Sequence, residues 1–312
     1  MDFRTEHTPH RLPFSLTHAT RILATGSCFA TAIGKRLEAG MFRCVVNPFG
    51  TVYNPLSIHG QLVDALASHS LHPSHWVPRG TLLLHHAFHS SLAAPDAHAF
   101  AARVQEVQST VRAQLTANSL LMLTYGTAWV FRKSGDVVAN CHKVPASEFA
   151  RELLSLSQIQ ESFDELNRTL RQVAPAADVL LTVSPVRHLR EGVEENAVSK
   201  ATLRLACHEL SKHYPRVHYF PAYELLLDDL RDYRFYSEDL VHPSAAAEKY
   251  IWEKFKTACM DGATLRLLDE LDRLRAFLDH RPLDVHDAAY QAKRQKALAR
   301  MDMIKGELSI NS

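Results

Sequence analysis

Short apolar runs, each closed by glycine, proline or a polar turn, recur along this chain with amphipathic stretches between them, at residues 21–26, 42–46, 120–126, 179–184 and 217–220. That alternation restricts the architecture more than any other feature. The runs are rich in leucine and β-branched residues, as strands covered on both faces are. The stretches between them, at about residues 29–40, 55–68, 97–117, 147–173 and 197–213, repeat apolar residues with the helical period. Strand and helix in alternation predict an α/β chain with a mainly parallel sheet of about five strands. Sheets of that kind bind ligands beyond the carboxyl ends of their strands.

Three segments depart from the alternation. Residues 128–140 read as a hairpin turned at Ser134-Gly135-Asp136. Residues 70–96, rich in histidine, serine and proline, show little periodicity and read as a long irregular insertion of the kind that often forms a lid. Beyond Gly262, the residues Leu265, Leu267, Leu268, Leu271, Leu274, Phe277 and Leu278 keep a helical period, and a charged helical tail follows over about 285–305. The expected organisation is therefore an α/β domain over 1–261 and a helical C-terminal extension over 262–312. The leucines of that extension offer a surface for self-association into a homo-oligomer.

Composition excludes several partners. In 312 residues, 35 lysines and arginines face 34 aspartates and glutamates. So balanced a chain has no global field to hold nucleic acid or a membrane surface, and no apolar stretch approaches a membrane span. Five cysteines at irregular spacings (Cys28, Cys44, Cys141, Cys207, Cys259) form no C-x-x-C pair and fit a reducing compartment. The N-terminal residues lack the pattern of a signal peptide, so a cytoplasmic location is expected. Nineteen histidines should add positive charge at mildly acidic pH. Without a Walker or dinucleotide glycine fingerprint, no nucleotide cofactor is expected.

Two motifs carry chemistry. Gly26-Ser27-Cys28-Phe29-Ala30 lies where the first strand passes into the first helix, so a nucleophile there, Ser27 or Cys28, meets free N–H groups and the positive end of a helix dipole. A serine-capped turn into a helix is also routine. Far along the chain, Asp239-Leu-Val-His242-Pro243 sets a carboxylate three residues before a histidine at a helix start. In that turn Asp239 can hold Nδ1 of His242 while Nε2 faces a nucleophile, as general-base catalysis requires. Arg187 and His188 follow the fourth strand, where an arginine suits a substrate carboxylate or phosphate, or else pairs with an internal acid such as Glu195. His85, His86 and His89 lack a carboxylate or cysteine at ligand spacing and read as loop histidines rather than a metal site. Trp129, Tyr233, Phe235 and Tyr236 read as packing residues.

Taken together the motifs resemble the SGNH, or GDSL-type, esterases, and more specifically the GSCFA family, whose name is spelled by residues 26–30. The resemblance extends through 46–57 (VNPFGTVYNPLS), 123–130 (LTYGTAWV), 138–143 (VANCHK), 182–188 (TVSPVRH), Glu195-Asn196 with Ser199-Lys200, and 231–236 (RDYRFY) leading into Asp239 and His242. It implies a flavodoxin-like three-layer fold in the SGNH clan. In the ungapped register the clan's serine falls on Cys28 and its aspartate on Ser27. That placement favours Cys28 as nucleophile, with the helix terminus and His242 expected to lower its pKa. The clan's oxyanion hole implies the N–H of Cys28 and of Gly50. Its third donor, an asparagine, is replaced by Ala128, leaving Asn47, Thr127, Asn140 or His142 as candidate substitutes.

The function expected is acyl transfer, as an esterase or acyltransferase, on an O-acyl or thioester group of a small polar or carbohydrate-like substrate. The missing asparagine motivates the alternative, a catalytically silent binding module on the same scaffold. A histidine-rich metal protein is the third reading.

Overall fold

The computed structural model describes residues 4–69, 71 and 75–310, the side chains of 309 and 310 excepted. Along the chain, β1 (Arg21–Gly26) leads to α1 (Cys28–Ala39), β2 (Arg43–Val46) and α2 (Pro55–Ala67). A hairpin of β3 (Trp76–Arg79) and β4 (Leu82–His85) precedes α3 (Ala97–Gln114) and β5 (Ser119–Tyr125). Then come β6 (Trp129–Lys133), β7 (Asp136–Val138), β8 (Ala150–Leu153), α4 (Leu156–Val173), β9 (Asp178–Val183), α5 (Val193–His213) and β10 (Val217–Tyr219). A short α6 (Ala222–Glu224) widens into a π-helical stretch, Leu225–Leu230, before α7 (Ala245–Cys259), α8 (Gly262–Asp279) and α9 (Ala288–Ile310).

The five strands predicted from the alternation form one parallel sheet in the order β10-β9-β5-β1-β2. This is the flavodoxin-like order, with its switch point between β1 and β5. Successive side chains of a strand point to opposite faces, so β5 divides its leucines between two cores. Leu121 and Leu123 join Ile58, Phe100, Phe163 and Leu203 from α2, α3, α4 and α5. Leu120 and Met122 join Phe29, Ile33, Ile251 and Phe255 from α1 and α7. The result is a three-layer α/β fold.

The hairpin expected at 128–140 is present as β6 and β7, and its two-residue turn sets Ser134 at φ 53° and Gly135 at φ 94°. Both values are what a turn matching the strand twist requires. Two expectations need correction. Residues 70–96 are not irregular throughout, because Trp76 pairs with His85 and Arg79 with Leu82 in the β3–β4 hairpin. The helix read from 147 starts at Leu156, where Ser155 and Gln158 form a capping box. The residues before it become β8, which covers the edge of β6 that would otherwise lie unpaired.

Past the sheet, α8 docks with Leu268 buried against Gly40 and Phe42 at the end of α1. Helix α9 returns along α8, held by the Arg300–Glu270 ion pair at 2.6 Å and by the buried Ile304. No described helix is long and apolar enough to cross a membrane.

Burial also changes what the histidines do. His18, His59, His86, His142 and His188 are all held below the ordinary imidazole range, chiefly by burial, so the charge gained on acidification is smaller than the histidine count implies. His59 on α2 is fully buried, with Nε2 2.6 Å from the Tyr125 hydroxyl and Nδ1 3.0 Å from the Ser162 hydroxyl. Its pKa is pushed down from 6.5 to about 3. Between those values the unfolded chain binds a proton that the folded chain does not, so stability falls as pH drops below about 6.5. We expect His59→Gln to remove close to one proton, or about 1.4 kcal/mol per pH unit, from the pH dependence of urea unfolding between pH 6 and 4. An unchanged slope would contradict that assignment.

Candidate functional site

The carboxyl end of β1 is pinned from both sides. Gly26 N–H donates to Asn47 Oδ1 at 2.8 Å, Val52 N–H donates to the Gly26 carbonyl at 3.1 Å, and Ser27 N–H donates to the Thr124 carbonyl at 3.1 Å. Gly26 itself sits at φ 137°, with no room for a Cβ against the Thr124 backbone. The strand therefore ends in a glycine that brings the next residue to the helix start. Ser27 is that start: it is fully buried, and its hydroxyl accepts from Phe29 N–H at 3.3 Å as the N-cap of α1. Cys28, the first helical residue, is half-buried and lines a cleft. The two candidate nucleophiles thus occupy different positions, Ser27 inside the fold and Cys28 facing the cleft.

The same cleft, of about 590 Å³, is lined by His242. The D-x-x-H turn is built as its spacing suggests. Asp239 Oδ1 accepts from Val241 N–H at 2.9 Å and His242 N–H at 3.0 Å, and Oδ2 lies 2.6 Å from His242 Nδ1. These N–H groups and the imidazole hold the Asp239 carboxyl down to about 2. An ionised carboxylate only accepts, so Nδ1 carries a proton, and in the neutral form of the imidazole Nε2 presents the lone pair. Pro243 and Ser244, the N-cap of α7, fix the turn from behind, together with Ser237, whose hydroxyl donates to the Pro243 carbonyl at 3.0 Å.

Arg187 supports this turn. Its N–H donates to the Val241 carbonyl at 3.1 Å, its guanidinium to the Leu240 carbonyl at 3.4 Å, and the guanidinium lies 4.0 Å over the Tyr236 ring. The alternative pairing with Glu195 is not made.

Electrostatically the site differs from expectation at the thiol. The Cys28 and Phe29 N–H groups and the Lys200 ammonium favour the thiolate, but burial outweighs them, with Glu248 adding to it, and the Cys28 pKa lies above the ordinary thiol value. The expected lowering is corrected accordingly: the thiol rests protonated at neutral pH. Lys200 is the residue that sequence reasoning missed. It is fully buried on α5, and its ammonium donates at 2.7 Å to both the Gly126 and Ser184 carbonyls at the ends of β5 and β9. Burial pulls it down to about 7. A signal was present, because Lys200 falls in the helical register of Leu203, Cys207 and Leu210, a cation on the apolar face of α5.

The implied oxyanion donors are arranged otherwise. Gly50 N–H donates to the Asn47 carbonyl at 2.8 Å, so it closes a turn, and its φ of 81° and lack of side chain make room for His89. Asn47 spends Oδ1 on Gly26 and donates Nδ2 to the Thr31 hydroxyl at 2.9 Å. The Thr127 hydroxyl is 3.1 Å from that of Ser199 and accepts from Trp129 N–H at 3.1 Å. His142 is buried, 2.9 Å from the His85 carbonyl, and its N–H donates to Asn140 Oδ1. None of Thr127, Asn140 and His142 lines the Cys28–His242 cleft. Thr51 does, and among the described residues its N–H donates to no other group.

His85 and His86 are buried, His86 Nδ1 lying 2.9 Å from the Asn140 carbonyl, while His89 packs over Gly50. His188 does not line that cleft; its ring lies 5.2 Å from that of Tyr53, and it is pushed down to about 3 by burial, with Lys200 and His242 adding to it.

Among known proteins, the model described as the GSCFA family matches residues 21–255. No curated protein matches the chain.

Two results are expected from this geometry. Gly26→Ala should cost at least about 2 kcal/mol in urea unfolding, because it adds a clash to a left-handed φ. Alkylation of Cys28 by iodoacetamide, followed by peptide mapping, should keep accelerating with pH past the ordinary thiol value of about 8.5. A plateau near neutrality would show a preformed thiolate instead.

Proposed function

The chain belongs to the GSCFA family, and from that premise and the cleft just described we propose that it is an acyl-transfer enzyme of the SGNH type. The observation that carries the reading is the shared cleft: a helix-terminal thiol and an imidazole already oriented by a carboxylate line the same space. The substrate class is an O-acyl or thioester group on a small polar or carbohydrate-like molecule.

In the proposed reaction the Cys28 sulfur attacks the acyl carbon while His242 Nε2 takes the thiol proton. Asp239 keeps the imidazole in the required tautomer and steadies the imidazolium. The tetrahedral oxyanion is held by the Cys28 N–H and by the Thr51 N–H. As the bond from the acyl carbon to the leaving oxygen or sulfur breaks, His242 returns the proton to the leaving group, and a thioester on Cys28 remains. Water or an acceptor hydroxyl then gives its proton to His242 and attacks the thioester. Cys28 leaves as a thiolate, is reprotonated, and releases acid or a new ester. A resting thiol that is protonated suits this sequence, since the base acts during attack rather than before it. Ser27 has no part in the proposal beyond capping, because its hydroxyl is buried and engaged.

A silent binding module is the second reading, supported by Ala128 in place of the clan's asparagine and by the engaged Gly50 N–H. The two are separated by brief exposure to p-nitrophenyl acetate followed by intact-mass measurement and peptide mapping. Acyl transfer predicts a labile acetyl group on Cys28, formed at least about a hundredfold more slowly in His242→Ala and more slowly in Asp239→Asn. An acetyl group on Ser27, or one on Cys28 that forms equally well without His242, would overturn the proposal. No adduct at all would favour the silent scaffold.

A further inference from the structure

Next to the Cys28 cleft a second groove, of about 480 Å³, opens between the β6–β7 hairpin with β8 and the segment that follows β9. Arg151, Arg187 and Arg190 line it, and Glu191 is the one carboxylate among its lining residues. Glu191 pairs with Arg151 and lies 3.8 Å from Arg190. Arg187 has no carboxylate within ion-pair distance among the described residues. For a chain with almost balanced charge this is a marked local excess of cations.

The guanidinium groups are held over aromatic rings: Arg151 at 4.6 Å from the centre of Trp129, Arg190 at 5.0 Å from that of Phe131, and Arg187 at 4.0 Å from that of Tyr236. Stacking of this kind restrains a guanidinium while leaving its N–H edge for a planar oxoanion. Two more polar atoms belong to lining residues, Trp129 Nε1 and His188 Nε2, and both are buried with no hydrogen-bond partner among the described residues. A buried polar atom left unpaired costs about 1–3 kcal/mol, which a ligand oxygen can recover.

The groove lies beside the chemistry, since its Tyr53 and Arg187 follow Thr51 and Val186 of the Cys28 cleft by two residues and one. Tyr53 and His188 line it, Gly126 leaves space for both, and a Cβ there would stand 2.9 Å from His188 Nε2 and 3.2 Å from Tyr53 Cβ. Tyr53 senses the charge of Cys28, and His188 senses that of His242.

We propose that this groove is an oxoanion subsite, in which Arg187 and Arg190 hold a carboxylate or phosphate group of the substrate while Trp129 and His188 bond a further ligand oxygen. The role of that group as part of an acyl substrate rests on the acyl-transfer reading; its binding does not.

Titration calorimetry with phenyl phosphate, benzoate and uncharged benzyl alcohol tests it, on the wild-type chain and on Cys28→Ala. At least one of the two anions is expected to bind saturably at millimolar concentration or below, more weakly at high salt, and equally well to Cys28→Ala. Benzyl alcohol should not bind. Arg187→Gln and Arg190→Gln should each weaken the anion by about 10-fold or more, as loss of a charge-assisted bond does, whereas Lys35→Gln in the neighbouring cleft should leave it unchanged. Arg190 is mostly exposed, so its variant reports binding without disturbing the Asp239–His242 turn. Preference for phenyl phosphate over benzoate would identify a phosphate ester, and the reverse a carboxylate. No binding of either anion, or unchanged affinity in Arg190→Gln, would overturn the subsite. Anion binding without acetylation of Cys28 would retain the subsite and reject acyl transfer, and acetylation without anion binding would do the opposite.

Discussion

The approach of Gly26 to the Thr124 backbone is the contact on which the rest of the site depends. A parallel sheet satisfies its backbone groups along each strand and leaves free ones only at strand ends. At the end of β1 those groups are taken by Asn47, Val52 and Thr124, from the loop after β2 and from β5. The turn is therefore rigid before any side chain is considered, and a glycine is the residue that fits it. Ser27 then caps α1, and Cys28 arrives in the cleft by construction. The flavodoxin-like strand order matters for the same reason: the switch between β1 and β5 separates the helices above and below the sheet, and the opening lies between them.

Around that opening, burial competes with charge, and burial prevails at Cys28, Lys200 and His188. It raises the Cys28 thiol despite the helix terminus, lowers Lys200 to about 7 and holds His188 near 3. Only Asp239 keeps its charge firmly, because it is exposed and accepts three hydrogen bonds. The site at rest therefore has a firmly ionised Asp239, an imidazole oriented by it and a protonated thiol. Lys200 serves first as a structural cation, bridging the ends of β5 and β9 through two carbonyls. Its positive potential also favours the thiolate of Cys28, which is the direction a forming thiolate needs.

Most of the sheet could be read from the sequence because β1, β5 and β9 each carry an unbroken apolar centre, at 22–24, 120–123 and 179–181, and such runs admit few other fates. The β6–β7 hairpin was legible from Ser134-Gly135, since few residue pairs accept two positive φ values. Less was legible where pairing is decided by tertiary neighbours. Strand β8 is short and half-exposed, and becomes a strand because β6 offers it an edge. The β3–β4 hairpin is likewise set by its packing, with the Trp76 ring against those of His85 and Phe100. The Asp239–His242 pair was visible because its geometry is local to four residues. Lys200 showed only as a cation in the apolar register of α5, and its two carbonyl partners, like Thr51 and the fate of Gly50, were not visible, since each depends on which strand end lies beside it.

The two clefts are neighbours along the chain, Thr51 and Val186 lining one and Tyr53 and Arg187 the other, and in the proposed reaction that adjacency bears on the choice between hydrolysis and transfer. His242 and Asp239 are about half exposed, at 48% and 49% of their side-chain surface, so the cleft that holds the base is open to solvent. The arginine groove on the other side is lined by rings and by buried polar atoms without partners. A substrate anchored there through an oxoanion would extend its acyl group past Tyr53 toward Cys28 and leave the His242 side free for the second reactant. A thioester at Cys28 is less resonance-stabilised than an oxygen ester and reacts readily with hydroxyl or amine acceptors. In the proposed reaction the occupancy of the His242 side, by water or by an acceptor, would decide the product. In the proposed reaction, specificity for that acceptor would rest on the face of α1 where Thr31, Lys35 and Arg36 line the cleft, rather than on Cys28, Asp239 and His242 themselves.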